Sequence, residues 1–92
     1  MEMKVLILYK PNSEHSREVE EYIEELKRRS LGSPTKIEIL NANTRDGMAI
    51  ASLYDIFSFP AIMVIRMDGG MQKLWQGVDL PLFDEVQAYA ST

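Results

Sequence analysis

Three residues whose side chains are suited to chemistry lie close together near the N-terminus: Ser13, His15 and Ser16. A serine with a nearby histidine suggests a nucleophile and its general base. Residues one or two positions apart on a helix do not face each other, however, so His15 is poorly placed to activate either serine. No third residue clearly orients the imidazole, as a triad requires. We therefore interpret His15 as an exposed residue of the first helical turn.

The composition removes several other kinds of chemistry. The chain has 92 residues, one histidine and no cysteine, so thiolate chemistry, disulfides and cysteine metal sites are excluded. Because one histidine leaves only carboxylates as further metal ligands, we predict neither a metal nor another cofactor. The net charge is -4 and the basic residues are scattered, apart from Lys27-Arg28-Arg29 at the end of an acidic helix. This distribution argues against a nucleic-acid partner.

Ser13 and Ser16 are three residues apart, a spacing that places two side chains on one face of a helix. Ser13 follows Pro11 and Asn12, which form a turn, and serine is a preferred N-cap. We predict that Ser13 caps the following helix, with Asn12 as the competing cap.

The elements that position these residues follow from the hydrophobic pattern. Val5–Tyr9 is a continuous β-forming run, which predicts a strand buried on both faces. An amphipathic helix follows and ends at Gly32-Ser33-Pro34. Its apolar face consists of Val19, Tyr22, Ile23 and Leu26. Thr35–Leu40 is predicted as the second strand.

The second half of the chain predicts a helix, a hairpin and a last helix. Thr44 caps a helix reaching about Asp55, with Met48, Leu53 and Ile56 on its apolar face. Two strands, Ala61–Met67 and Met71–Gln76, flank Asp68-Gly69-Gly70, a strong hairpin signal. The last helix is capped by Asp79 and has an apolar face formed by Leu82, Phe83, Val86, Tyr89 and Ala90.

The resulting order is βαβαββα, an α/β fold in one domain over residues 1–92. A β-α-β opening gives a parallel pair, the hairpin adds an antiparallel pair, and helices cover both faces of a four-stranded mixed sheet. The N-terminal apolar run is too short for a signal-peptide core or a membrane span. We therefore expect a cytoplasmic protein that does not associate with membranes.

The order resembles that of the thioredoxin and glutaredoxin family, and four motifs in the correct order carry the resemblance. The family's Pro-x-Cys-x-x-Cys corresponds to Pro11-Asn12-Ser13-Glu14-His15-Ser16. The family's proline before the third strand, usually cis, corresponds to Pro60. Asp68-Gly69-Gly70, Trp75 and Gly77 are similar to the family's hairpin and the glycine that follows it. The resemblance covers nearly the whole chain.

The resemblance implies that Ser13 and Ser16 occupy the two redox positions. A serine hydroxyl stays protonated near neutral pH and forms no disulfide, so the sequence as it stands predicts no thiol–disulfide oxidoreductase activity. The same change removes the cysteine that glutaredoxins use for glutathione chemistry or cluster ligation. The alternative is a thiol–disulfide oxidoreductase in which both cysteines have been replaced by serine.

The resemblance also implies a groove beside Pro60, in which the Phe59 backbone pairs with an extended peptide or with glutathione. Such strand addition uses backbone groups rather than cysteine. The candidate groove residues are Pro11, His15, Phe59 and Pro60. We therefore interpret the chain as a redox-inactive binding or adaptor module, whose partner is a protein, a peptide or a glutathione-like thiol. The competing interpretation of Phe57 and Phe59 is that they belong to the core.

A third interpretation is a cysteine-free regulatory module, since the chain is similar in size to the KaiB-type clock proteins and likewise lacks the redox pair. No motif specific to those proteins is present. Trp75 is expected to serve packing rather than recognition. The outer strand Met71–Gln76 is a candidate interface, because an edge strand has unpaired backbone groups.

Overall fold

The computed structural model describes residues 3–77 and 79–90. Its elements are β1 (Met3–Tyr9), α1 (Ser16–Arg29), β2 (Lys36–Asn41), α2 (Arg45–Leu53), β3 (Ala61–Arg66), β4 (Met71–Gln76) and α3 (Phe83–Ala90). The predicted βαβαββα order is confirmed. Most element ends move by one or two residues: β1 starts two residues before the predicted strand, and α2 ends two residues before Asp55. α3 starts three residues later than a cap at Asp79 predicts.

The four strands form one mixed sheet in the order β2-β1-β3-β4. β1 runs parallel to β2 and antiparallel to β3, and β3 and β4 form the predicted antiparallel hairpin. The two central strands are continuous apolar runs apart from Lys4 in β1 and Arg66 in β3, as burial on both faces requires. In the β1–β3 register Leu8 lies opposite Ala61, so the end of β1 and the start of β3 meet at one edge of the sheet.

Helices cover both faces of the sheet, as predicted, and each face has its own core. α1 and α3 pack on one face through Val19, Ile23, Leu26, Val86 and Ala90. α2 packs on the other face, where the buried strand residues are Leu6, Leu8, Ala61, Met63 and Ile65. Because α1 begins at the sheet edge where β1 ends, its first turn lies at the position that sequence reasoning assigned to the site.

The predicted apolar face of α2 is wrong. Met48 and Leu53 are 58% and 69% exposed, and Ile56 is buried but lies beyond the end of the helix. The buried side of α2 instead carries Gly47, whose Cα lies close to the backbone of β2. Ile50, Ala51 and Tyr54 follow on the same side and pack against the second core.

Of the two helix caps predicted for α2 and α3, one is confirmed. The Thr44 hydroxyl oxygen accepts a hydrogen bond of 3.0 Å from the Gly47 amide and caps α2, as predicted. Asp79 lies too far upstream of Phe83 to cap α3. There the Leu82 amide donates to the Glu85 carboxylate at 3.2 Å, and Leu82 itself is exposed rather than packed. No helix in residues 3–77 and 79–90 is long and apolar enough to span a bilayer.

Candidate functional site

A groove lies at the sheet edge where β1 ends and β3 begins. The chain leaving β1 at Tyr9 and the chain entering β3 at Pro60 are held together by the register of the two strands. Between them and the first turn of α1 is a cavity of about 260 Å³, which we call the Pro60 groove. It is lined by Tyr9, Lys10, Ser13, His15, Val19, Phe57, Phe59 and Pro60.

The turn from β1 into α1 places Ser13 at the groove. Asn12 has a positive φ of 65°, a conformation that asparagine tolerates better than most residues, and the chain reverses direction there. The Ser13 amide donates to the Lys10 carbonyl at 3.4 Å, and the Ser16 amide donates to the Ser13 carbonyl at 3.2 Å. α1 therefore begins at Ser16.

The prediction that Ser13 caps α1 is wrong. The competing candidate, Asn12, does not cap the helix either. The N-cap position is taken by His15, whose side chain makes no capping hydrogen bond. The cap lies two residues later than predicted because the segment after Asn12 forms a separate turn before the helix starts. Ser13 is left exposed at the groove, and no helix amide donates to its hydroxyl oxygen among the described residues.

The structure brings together four of the six residues singled out by sequence reasoning. Ser13, His15, Phe59 and Pro60 line the groove, whereas Pro11 and Ser16 do not. The Ser16 hydroxyl donates a hydrogen bond of 3.0 Å to the Ser13 carbonyl oxygen, so it faces the turn instead of the cavity. Pro11 is half-buried in the same turn.

The opposite wall of the groove is a short loop that ends at Pro60. The Phe59–Pro60 peptide bond is cis, and Pro60 is buried, with its carbonyl accepting a 2.9 Å hydrogen bond from the Gly77 amide. The amides of Phe57 and Ser58 both donate to the side-chain oxygen of Gln76, at 3.1 and 3.2 Å. The Phe59 amide and carbonyl, by contrast, form no hydrogen bond with any residue that the structure describes.

Two aromatic residues form the apolar part of the groove. Phe57 is 84% exposed, so the interpretation of Phe57 as a core residue is wrong. Phe59 is half-buried and packs against the second core on one side while lining the groove on the other. The Lys10 ammonium lies 5.1 Å from the centroid of the Phe59 ring, within range of a cation–π interaction.

Comparison with solved structures places this geometry in a known fold. A Fasciola hepatica thioredoxin matches with a TM-score of 0.73 and 12% identity over 98% of this chain and 79% of its own. The germline-specific Drosophila melanogaster thioredoxin Deadhead matches with a TM-score of 0.74 and 16% identity over the same shares of the two chains. The chain has the thioredoxin fold.

Identities this low establish the fold alone. A malarial protein also matches, with a TM-score of 0.75 and 11% identity, over 99% of this chain and 96% of that one. No protein-family model matches the chain, and no curated protein matches it in sequence.

The Pro60 groove contains few charged side chains. Its lining includes Lys10 and no carboxylate among the described residues, although the chain as a whole is acidic. At the margin, the Tyr9 hydroxyl donates to the Glu20 carboxylate at 2.9 Å. Partial burial, and then this contact with Glu20, raise the pKa of Tyr9. Among the described residues, no side chain forms a hydrogen bond with the Ser13 hydroxyl.

Within residues 3–77 and 79–90, no three histidine, cysteine, aspartate or glutamate side chains are grouped to hold a metal ion. The groove offers His15 alone as a nitrogen ligand.

Several residues that shape this site were not among the site residues predicted from the sequence. Tyr9 is the last residue of β1, and Lys10 comes directly after it. Their position at the groove could be predicted once the register of β1 and β3 is known. Val19 was predicted as a core residue, and the structure confirms this; Val19 also lines the groove. Gln76 had no signal at all in the sequence, because its contact depends on how β4 ends beside a loop nearly twenty residues earlier.

Proposed function

We propose that this chain is a thioredoxin-fold binding module without thiol–disulfide chemistry, and that it holds an extended segment of a partner protein in the Pro60 groove. The observation that carries the proposal is the free Phe59 backbone. Its amide and carbonyl lie at a groove and have no partner among the described residues. An extended peptide can pair with these two groups by strand addition.

The loss of cysteine leaves binding as the remaining use of the site. Ser13 lines the groove, but a serine hydroxyl does not attack a disulfide, because it stays protonated near neutral pH. Strand pairing at Phe59 requires no thiol, so it is independent of the residues at positions 13 and 16.

The dimensions of the groove set the expected affinity. A cavity of about 260 Å³ accepts one side chain and is smaller than most sites for drug-sized ligands. Two backbone hydrogen bonds and one buried side chain must also offset the entropy lost on association. We therefore expect weak binding of an isolated peptide, with neutral or acidic segments preferred over basic ones because Lys10 lines the groove.

The test is a chemical-shift titration of the ¹⁵N-labelled protein with a panel of extended peptides. We expect shifts at the amides of residues 12–16 and at those of Ser58, Phe59 and Ala61. A peptide N-methylated at its central residue should lose binding, because it cannot donate to the Phe59 carbonyl. The same peptide N-methylated at its terminal residue is the matched control and should bind normally.

S-methylglutathione, which has no free thiol, separates a peptide partner from a small glutathione-like ligand. If it shifts the same amides more strongly than any peptide, the ligand is the small molecule rather than a protein segment. If neither kind of ligand shifts these amides at millimolar concentration, the Pro60 groove is not the binding site.

The second candidate is an oxidoreductase in which both cysteines are replaced by serine. It is supported by the position of Ser13 and Ser16, which lie in contact at the start of α1 in a thioredoxin fold. The rate of disulfide reduction by the variant with cysteine at both positions separates the two candidates: a rate as high as that of an efficient thioredoxin supports the oxidoreductase, whereas slow reduction supports the binding module.

A further inference from the structure

The loop before Pro60 has its backbone donors satisfied at every residue but one. The amides of Tyr54 and Asp55 donate back into α2, and the Ile56 amide donates to the Ala51 carbonyl at 2.8 Å. The next two amides, those of Phe57 and Ser58, donate to the Gln76 side chain. Within residues 3–77 and 79–90, the next donor along the loop, the Phe59 amide, is left without an acceptor.

Gln76 therefore acts as a substitute for a neighbouring strand. It is the last residue of β4 and lies opposite Ala61 in the β3–β4 register. Its side-chain oxygen accepts hydrogen bonds from the amides of both residues that precede Phe59. An incoming peptide therefore finds no free amide donor at either of those residues. Because strand addition depends on free backbone groups, a peptide that pairs with an amide of these three residues can do so at Phe59 and not at Phe57 or Ser58.

Gln76 also fixes the backbone of an exposed aromatic residue. Phe57 is 84% exposed, yet its amide is held by Gln76 and the preceding residue, Ile56, is buried. A large apolar side chain on a fixed backbone gains much contact area on binding and loses little conformational entropy. Such residues are common among the anchors that dominate binding energy.

We propose that Gln76 is a positioning residue which sets the register of the bound segment and holds Phe57 as its apolar anchor. The preferred partner is then an extended segment with a bulky apolar side chain two positions from the residue that pairs with Phe59, because side chains two apart in an extended segment face the same side. This inference rests on the proposed function, and it adds a specificity that the Phe59 backbone alone does not provide.

The first experiment compares two otherwise identical peptides that carry leucine or alanine two positions from the pairing residue, on the side that faces Phe57. Burial of the larger side chain against Phe57 should make the leucine peptide bind about tenfold more tightly. In the Phe57→Ala variant the difference should fall to about twofold or less. Leu82→Ala is the matched control, because Leu82 is also exposed but lies outside the groove, and it should keep the full difference.

The second experiment tests Gln76 itself through hydrogen exchange and binding. Gln76→Ala should speed amide exchange at Phe57 and Ser58 selectively and weaken the leucine peptide about fivefold. Gln76→Glu retains an acceptor oxygen and should restore most of both. Gln72→Ala is the control on the same strand, since its side chain contacts Arg66 instead of the loop.

The outcomes separate this inference from the proposed function. If the wild-type protein binds no peptide in the groove, the proposed function itself fails. If it binds both peptides equally, or if Gln76→Ala changes global stability without selective exchange at the two amides, the inference is wrong and the function stands. Loss of the Phe57 signals on concentration, with a doubled mass in sedimentation, would show that Phe57 anchors a second copy of the chain and would also overturn the inference.

Discussion

The Ser16 hydroxyl donates a hydrogen bond of 3.0 Å to the backbone carbonyl oxygen of Ser13. This contact shows that the side chain of residue 16 faces residue 13 across the turn that leads into α1. The two residues stay in contact even though His15, rather than Ser13, occupies the N-cap. The contact brings the Ser16 side chain to the Ser13 backbone and does not itself join the two side chains.

We predict that the variant with both Ser13→Cys and Ser16→Cys forms an intramolecular disulfide under mild oxidation. Serine and cysteine are similar in size, so the turn should accept both substitutions. The start of α1 favours a thiolate, whereas Glu14 and Glu18 oppose it, so the first thiol should have a pKa only modestly below the usual value of about 8.5. Mass spectrometry and a redox titration provide the measurement.

The matched control is Ser13→Cys alone, which should form only intermolecular disulfides or glutathione adducts. If both cysteines of the double variant remain free while the domain stays folded, positions 13 and 16 do not correspond to the redox pair. The resemblance between Pro11–Ser16 and the redox motif would then be wrong.

A second prediction concerns the chain as it stands. It should not accelerate disulfide reduction by dithiothreitol, because it has no thiolate to attack the substrate. The double-cysteine variant should show slow but measurable reductase activity in the same assay. A rate clearly above the dithiothreitol background for the unaltered chain would contradict the proposed absence of redox chemistry.

The fold was predictable because its central strands are nearly continuous apolar runs and its hairpin has a strong turn signal. Those features depend on residues close together in the sequence. The face of α2 was not predictable in the same way. Met48 and Leu53 look like core residues by periodicity, but the close approach of Gly47 to the backbone of β2 turns the helix so that both are exposed.

The residues of the candidate site were likewise predictable only in part. Ser13, His15, Phe59 and Pro60 could be placed together because a family resemblance linked two distant segments. The contribution of Lys10 requires knowledge of the β1–β3 register, and that of Gln76 requires the position of a side chain at the end of β4. Contacts of this kind are made in space between distant segments, and no local pattern encodes them.

A third prediction follows from the buried glycine in α2. A Cβ at residue 47 would overlap the Asn41 carbonyl oxygen, which belongs to the backbone and has no alternative rotamer. We expect Gly47→Ala to lower the free energy of unfolding by about 1–3 kcal/mol, although alanine is the better helix former by about 1 kcal/mol. Urea denaturation is the measurement. Ser52→Ala, at an exposed position of the same helix, should change it by less than about 0.5 kcal/mol; equal effects of the two substitutions would contradict the close approach.

The last prediction concerns Tyr22, which ties α1 to the segment before α3. Its hydroxyl donates to the Pro81 carbonyl at 2.8 Å, and its ring stacks on Phe83 with centroids 4.7 Å apart. Burial, and then the Glu85 carboxylate, raise the pKa of Tyr22 to about 12. In the unfolded chain a tyrosine has a pKa of about 10. Since the folded pKa is the higher one, this stabilisation is fully present below pH 10 and is lost as the pH rises toward 12.

We therefore expect Tyr22→Phe to cost about 1 kcal/mol at pH 7, the net value of a typical hydrogen bond, and to cost progressively less above pH 10. The measurement is urea unfolding between pH 7 and 11.5, followed by the fluorescence of Trp75. Thr44→Ala is the control, because it removes a cap worth about 1 kcal/mol that involves no titrating group. Its stability curve should stay parallel to that of the unaltered chain, whereas the Tyr22→Phe curve should converge with it. A Tyr22→Phe curve that also stays parallel up to pH 11.5 would show that the Tyr22 hydroxyl titrates alike in the folded and unfolded chains.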